Sequence, residues 1–166
     1  MRDHGPANYS STQIVLHWTV AVLVILQVLL HDGMEEAWDA FEDGEAVEIG
    51  PLVIVHIAIG VSILILALWR IGLRWKRGAP PLPDDHPRVL KLVAHANHLA
   101  LYALLIAMPL TGATAWFLGV EEAAEIHEAG KTALLVLVVL HITGALAEHF
   151  VMKTNVLRRM LGLTSL

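Results

Sequence analysis

The stretch HEAGKTALLVLVVLH, residues 127–141, begins and ends on histidine and is mostly apolar in between. Fourteen residues separate His127 from His141, close to four helical turns, so on a helix both imidazoles face roughly the same way. At about 1.5 Å per residue they stand roughly 21 Å apart along the axis. Such a run reads as part of a membrane-spanning helix, where an ionisable side chain is costly and by default serves a function with a partner. One metal site is excluded for this pair, because ligands must converge within bonding distance. Two sites stacked across one membrane suit the spacing.

The rest of the chain agrees with a membrane setting. Its 166 residues suit one domain, residues 1–166, and 56% of them are hydrophobic. The mean hydropathy of +0.62 is far above that of soluble proteins. Cysteine is absent, which excludes disulfides, thiolate ligands, iron–sulfur clusters and covalently attached c-type haem. Met1 to Ser11 is polar and the apolar run after it is too long for the core of a cleaved signal, so that run is expected to persist as a helix. No repeat, Gly-rich phosphate loop or nucleic-acid-binding pattern stands out.

Four spans are predicted, about Ile14 to Leu30, Leu52 to Trp69, His98 to Leu118 and Thr132 to Phe150. Each has about the 17–25 residues needed to cross hydrocarbon, and an open sheet could not satisfy its backbone there. The predicted fold is therefore an all-α, four-transmembrane-helix bundle. Pro51 suits a first helical turn, Pro109 should kink the third span, and the run GAPPLP at 78–83 reads as a stiff turn. Charge orients the bundle. Arg70, Arg74, Lys76, Arg77, Arg88, Lys91, Lys153, Arg158 and Arg159 flank one side. Residues 32–48 and Glu121, Glu122 and Glu125 make the other side acidic, with Lys131 its one basic residue. The positive-inside rule puts both termini in the cytoplasm. Trp18, Trp69, Trp75 and Trp116 read as interfacial anchors, and 32–48 as a short amphipathic helix or loop on the outer surface.

Topology pairs the histidines by depth: His56 with His127 outside, at the outer start of the fourth span, and His17 with His141 inside. Histidine is a common axial ligand of haem iron, and each pair can clamp one iron between two helices. Small residues keep step with them. Ala21 follows His17 by four, Gly60 follows His56 by four, Gly130 follows His127 by three and Gly144 follows His141 by three. Helix packing accounts for any one of these; together they suit a flat macrocycle beside each ligand. His149 competes with His141 as the partner of His17. His4, His31 and His86 read as solvated, and Met108-Pro109 as a kink and not a ligand.

These segments resemble the bacterial cytochrome b561 family, within the wider group that holds the cytochrome b subunits of nickel–iron hydrogenase and formate dehydrogenase. The resemblance rests on YSSTQIVLHW at 9–18, HIAIG at 56–60, Arg70 with Arg74, HANH at 95–98, MPLTG at 108–112, the spacing from His127 to His141, and ALAEHF at 145–150. It implies four helices in the bacterial inner membrane and two haem b groups ligated by His17, His56, His127 and His141. It further implies ubiquinone as a redox partner and often a homodimer. By the same resemblance His95, Asn97 and His98 are candidates for the quinone site. Arg70 and Arg74 can pair with propionates of the inner haem or simply anchor the inner face. Lys131, as a candidate catalytic residue, can meet an outer propionate or draw an anionic reductant, or snorkel to the surface.

The function this implies is a dihaem conduit between an outer donor and ubiquinone, with superoxide as the first choice of donor. The acidic outer face opposes an anionic donor. A second reading makes the chain the haem-binding anchor of a larger dehydrogenase or hydrogenase, docked through the acidic segment. A third, of another class, is a His-lined metal or proton transporter, against which the wide histidine spacing counts.

Overall fold

The computed structural model describes residues 6–81 and 87–163. Its element order is α1 (Ser11–Leu29), α2 (Asp32–Glu42), α3 (Pro51–Arg77), α4 (Arg88–Leu118), α5 (Glu121–Phe150) and α6 (Val156–Met160). The protein is all-helical, and α1, α3, α4 and α5 are each long and apolar enough to cross a membrane. His4, His86 and the end of the 78–83 turn lie outside the described residues.

Local chemistry explains the helix ends. Ser10 caps α1 by accepting from the Gln13 backbone N–H, while the Gln13 side chain reaches back to the Ser10 N–H. Pro51 opens α3, where its missing N–H costs nothing. Gly119 ends α4 in the left-handed region at φ 64°, so only two residues join α4 to α5. Three helices exceed the predicted spans: α3 runs on to Arg77, α4 begins at Arg88 and α5 at Glu121. Hydropathy sees only the hydrocarbon layer, whereas a helix continues through the interface where its ends are polar. His127 therefore sits nearly two turns inside α5 and not at its start. Pro109 lies within an unbroken α4, and the Thr111 hydroxyl donates to the Ala107 carbonyl at 2.9 Å.

The packed core lies between α1, α3 and α4, where Val20, Ile63, Ala67 and Leu105 are buried and Leu23, Val24, Ile59 and Leu66 close around them. α5 packs chiefly on α4. None of the most apolar window of α5 is buried, against 11–17% for the other spans, so α5 is the least enclosed of the four. The space between α5 and the α1–α3 pair is where the histidines meet.

The two ends differ. At the basic end the chain segments outside the spans fold together: Gln13 Nε2 donates to the Gly78 carbonyl at 3.1 Å, Trp18 Nε1 to Met160 at 3.0 Å, and Arg159 to Pro81 at 3.3 Å. The first described residue, Pro6, and the last helix, α6, are at this end. At the acidic end the expected helix or loop over 32–48 is a short helix, α2, followed by a loop, and α2 packs on α3. A β-carbon added at Gly33 would stand 2.6 Å from Leu52 Cβ, so the two helices approach through bare backbone there. Trp69 and Trp75 are exposed near the basic end as anchors should be. Trp116 is half-buried against an internal cavity instead.

Gly33→Ala should lower stability in detergent by about 1–3 kcal/mol, the usual cost of overpacking. Gly72→Ala, where an added β-carbon meets nothing within 4 Å, should be neutral or slightly stabilising. Thermal melts of the two variants compare them directly; equal melting temperatures would mean that α2 is not seated on Leu52.

Candidate haem-binding site

Four of the ten histidines come together in two pairs, one toward each end. His56 of α3 faces His127 of α5 with ring centroids 6.4 Å apart, and His17 of α1 faces His141 of α5 at 6.1 Å. Two imidazoles on one metal, with metal–nitrogen bonds of about 2 Å, place their ring centres roughly 6.3 Å apart. Both separations match that figure.

At the acidic end the supporting groups are explicit. His127 Nδ1 lies 2.9 Å from the Met108 carbonyl oxygen, and the Thr111 hydroxyl is 3.3 Å from the same nitrogen. A neutral imidazole donating Nδ1–H to a carbonyl keeps its Nε2 lone pair free, the tautomer a metal ligand needs. Gly112 makes this contact possible, since a β-carbon there would stand 3.0 Å from His127 Cε1 and 3.1 Å from Nδ1. His56 Nδ1 is buried with no hydrogen-bond partner, as is Gln27 Oε1 nearby. A cavity of about 400 Å³ is bordered by His56, His127, Gly60, Gly112, Gln27 and Lys131 among others. That is the size of a small-molecule site. Gly60 faces Gln27 across it, whereas Gly130 meets Met108 Sδ and so serves α4–α5 packing.

His31, expected in solvent, is instead part of a cluster at the cavity rim. Its Nε2 lies 3.4 Å from Glu35 and 3.6 Å from Glu128. Lys131 is ion-paired with Glu128 and bonded to His31, which ties the start of α2 to α5. Lys131 is therefore held between partners and does not snorkel freely.

At the basic end Arg70 Nη2 lies 3.0 Å from His17 Nδ1, and its guanidinium sits 5.5 Å above the Tyr102 ring. Burial pushes the Tyr9 phenol above its ordinary value, while Arg74, Arg159 and Arg70 beside it pull the other way. His98 is a third imidazole here, 5.1 Å from His141, with Nδ1 2.6 Å from the Ala94 carbonyl. Asn97 does not join His95 and His98: it is buried with Oδ1 unpartnered, while they are exposed. The ring against His149 is Phe150, and its Nδ1 is buried and unpartnered. Gly144 has open space beside it. Among the described residues no group of three or more His, Asp or Glu is placed to hold a bare metal ion.

Paired imidazoles at the separation for a shared iron, one pair beside a cavity, suit a haem protein. The profile of the prokaryotic cytochrome b561 family matches residues 8–163. The chain belongs to that family. It is 34% identical to a cytochrome b562 of Cereibacter sphaeroides, over 93% of this chain and 95% of that one. It is 30% identical to a protein of Yersinia pestis named probable superoxide oxidase CybB, over 93% and 96%. It is also 30% identical to cytochrome b561 homolog 2 of Escherichia coli K12, over 96% and 94%. The chain is thus a bacterial, multi-pass inner-membrane protein that binds b-type haem and transfers electrons.

Gly112→Val should push the His127 ring off the Met108 carbonyl. Haem absorbance per chain should fall, while Gly72→Val, where an added β-carbon meets nothing within 4 Å, is the comparison that isolates the His127 contact. Unchanged haem content in Gly112→Val would show that this contact does not orient the ring.

Proposed function

We propose that the chain binds two b haems, one held by His56 and His127 at the acidic end and one by His17 and His141 at the basic end. In this reading it passes electrons from a donor outside the cell membrane to ubiquinone. The observation that carries it is the pair of centroid separations, 6.4 and 6.1 Å, at two depths of one bundle. When bound, bis-histidine haem iron cycles between ferric and ferrous and has no open position for oxygen.

The protein's own groups do the rest. Met108 and Thr111 fix the His127 tautomer, and Val24, Ile63 and Leu105 supply apolar wall to the cavity. Gly60 and Gly144 leave room beside the histidines. At the basic end Arg70 and Arg74 are placed to hold carboxylates. Arg70 donates to His17 Nδ1, which leaves the proton of that imidazole on Nε2. For His17 to present Nε2, Arg70 must turn to another acceptor, and a propionate is a suitable one. His98, with Nδ1–H given to Ala94, keeps Nε2 free to take or give a proton at a quinone oxygen. His95, three residues earlier on α4, is exposed as well. Basic residues at the end that carries Pro6 and α6 support a cytoplasmic location for that end.

Superoxide is the donor we favour, since a relative matched over 96% of its length is named a probable superoxide oxidase. Two superoxide ions would each lose one electron to become dioxygen, and ubiquinone would take the two electrons with two protons. Lys131 is the only Lys or Arg lining the cavity among the described residues, so it is the local attraction for an anion within an acidic rim.

Pyridine haemochrome assay should give about two haems per chain. His56→Ala and His127→Ala should remove one redox component, His17→Ala and His141→Ala the other, and His149→Ala neither. Rapid mixing with superoxide should reduce the haem, and added ubiquinone should reoxidise it. Lys131→Glu should slow reduction, with the effect shrinking at high salt. No reduction by superoxide, together with a stably co-purifying dehydrogenase subunit, would favour an anchor role.

A further inference from the structure

Gln27 is the one amide or charged side chain between His17 and the end of α1. An amide in an apolar setting costs free energy unless it is hydrogen-bonded. The fold places this one beside α3, where a β-carbon added at Gly60 would stand 3.4 Å from Gln27 Nε2. Gly60 lies four residues past His56, on the same side of α3. Gln27, Gly60 and His56 all border the acidic-end cavity.

Four buried side-chain polar atoms lack a partner among the described residues. Gln27 Oε1 and His56 Nδ1 belong to residues that border this cavity; Asn97 and His149, which carry the other two, do not border it. The two atoms at the cavity are complementary. A glutamine Oε1 only accepts. An imidazole that ligates a metal through Nε2 carries its proton on Nδ1, which then only donates. His127, facing His56, has its Nδ1 2.9 Å from the Met108 carbonyl oxygen, whereas His56 makes no such bond.

We propose that Gln27 is the positioning residue of His56, its Oε1 accepting the Nδ1–H when that imidazole serves as an iron ligand. The inference rests on the reading of His56 as a haem ligand. Main chain then holds one ligand of the acidic-end pair, and a side chain from α1 holds the other. An acceptor on Nδ1–H makes the imidazole a stronger donor at Nε2, which favours ferric over ferrous iron. Gln27 therefore keeps the potential of the acidic-end haem low and limits rotation of the His56 ring.

The test is a redox titration of the purified holoprotein in mild detergent, followed by absorbance, with a haem count for every variant. His56→Ala identifies the acidic-end component by removing it. Gln27→Leu deletes the acceptor without changing charge. It should raise the potential of that component by at least threefold in its reduction equilibrium, about 28 mV for one electron, and leave the other component in place. Gln27→Glu keeps an acceptor and strengthens it, so it should retain the haem and move the same component the opposite way. A side chain that only fills space gives no such reversal. If Gln27→Leu loses the acidic-end haem, Gln27→Met, unbranched like glutamine, takes its place in the comparison. No shift in the neutral variants, or a shift of the same sign in Gln27→Glu, would overturn the proposal. So would loss of the acidic-end haem from Gln27→Glu, where an acceptor is present. A His56→Ala protein that keeps every redox component would instead defeat the ligand reading, which separates that failure from this one.

Discussion

A polar ring in hydrocarbon has to bond to something, and that requirement organises this bundle. Backbone polar groups are satisfied within each helix, which is why the spans are helices at all. The four imidazoles at depth have no such internal solution. Two of them find protein partners at Nδ1, a carbonyl for His127 and a guanidinium for His17. His56 Nδ1 finds none. Each pair faces across the space between α5 and the α1–α3 pair, with ring centroids 6.1 and 6.4 Å apart.

That opening explains an uneven distribution of packing. The core of Val20, Ile63, Ala67 and Leu105 holds α1, α3 and α4 together, while α5 is fastened mainly to α4. The two-residue turn at Gly119 and Val120 and the Met108 contact at Gly130 keep α5 in register with α4. At the rim, His31, Glu128 and Lys131 tie the start of α2 to α5. A cofactor bound by both sides would bridge the halves of the bundle, so its binding energy would count toward folding.

Much of this was legible in the residues. Apolar runs give the helices, charge asymmetry separates the ends, and the fourteen-residue spacing pairs His127 and His141 with different partners. What escaped was contact made across the fold. Helix lengths were underestimated because interfacial turns look polar. His31 reads as solvated because a histidine between a span and an acidic segment carries no periodic signal, and two of its partners, Glu128 and Lys131, lie about a hundred residues away. Gly112 and Thr111 were present in the MPLTG stretch, but a sequence cannot say that an imidazole from the next helix rests there. Asn97 and His98 are adjacent in the chain, yet about 100° of helical rotation divides them, and the structure buries one and exposes the other. That angle was computable from their numbers alone.

Both α5 histidines belong to a single uninterrupted helix, and this has a mechanical consequence. The distance between their Cα atoms is a property of covalent geometry and backbone hydrogen bonding, about 1.5 Å for each intervening residue. It does not depend on how the helices lean on one another. When the membrane thickens or the bundle breathes, the partners on α1 and α3 can shift their grip, but the two fixed points keep their interval. A gap of constant width through a fluctuating medium is what a process with steep distance dependence requires, and here one helix acts as the ruler.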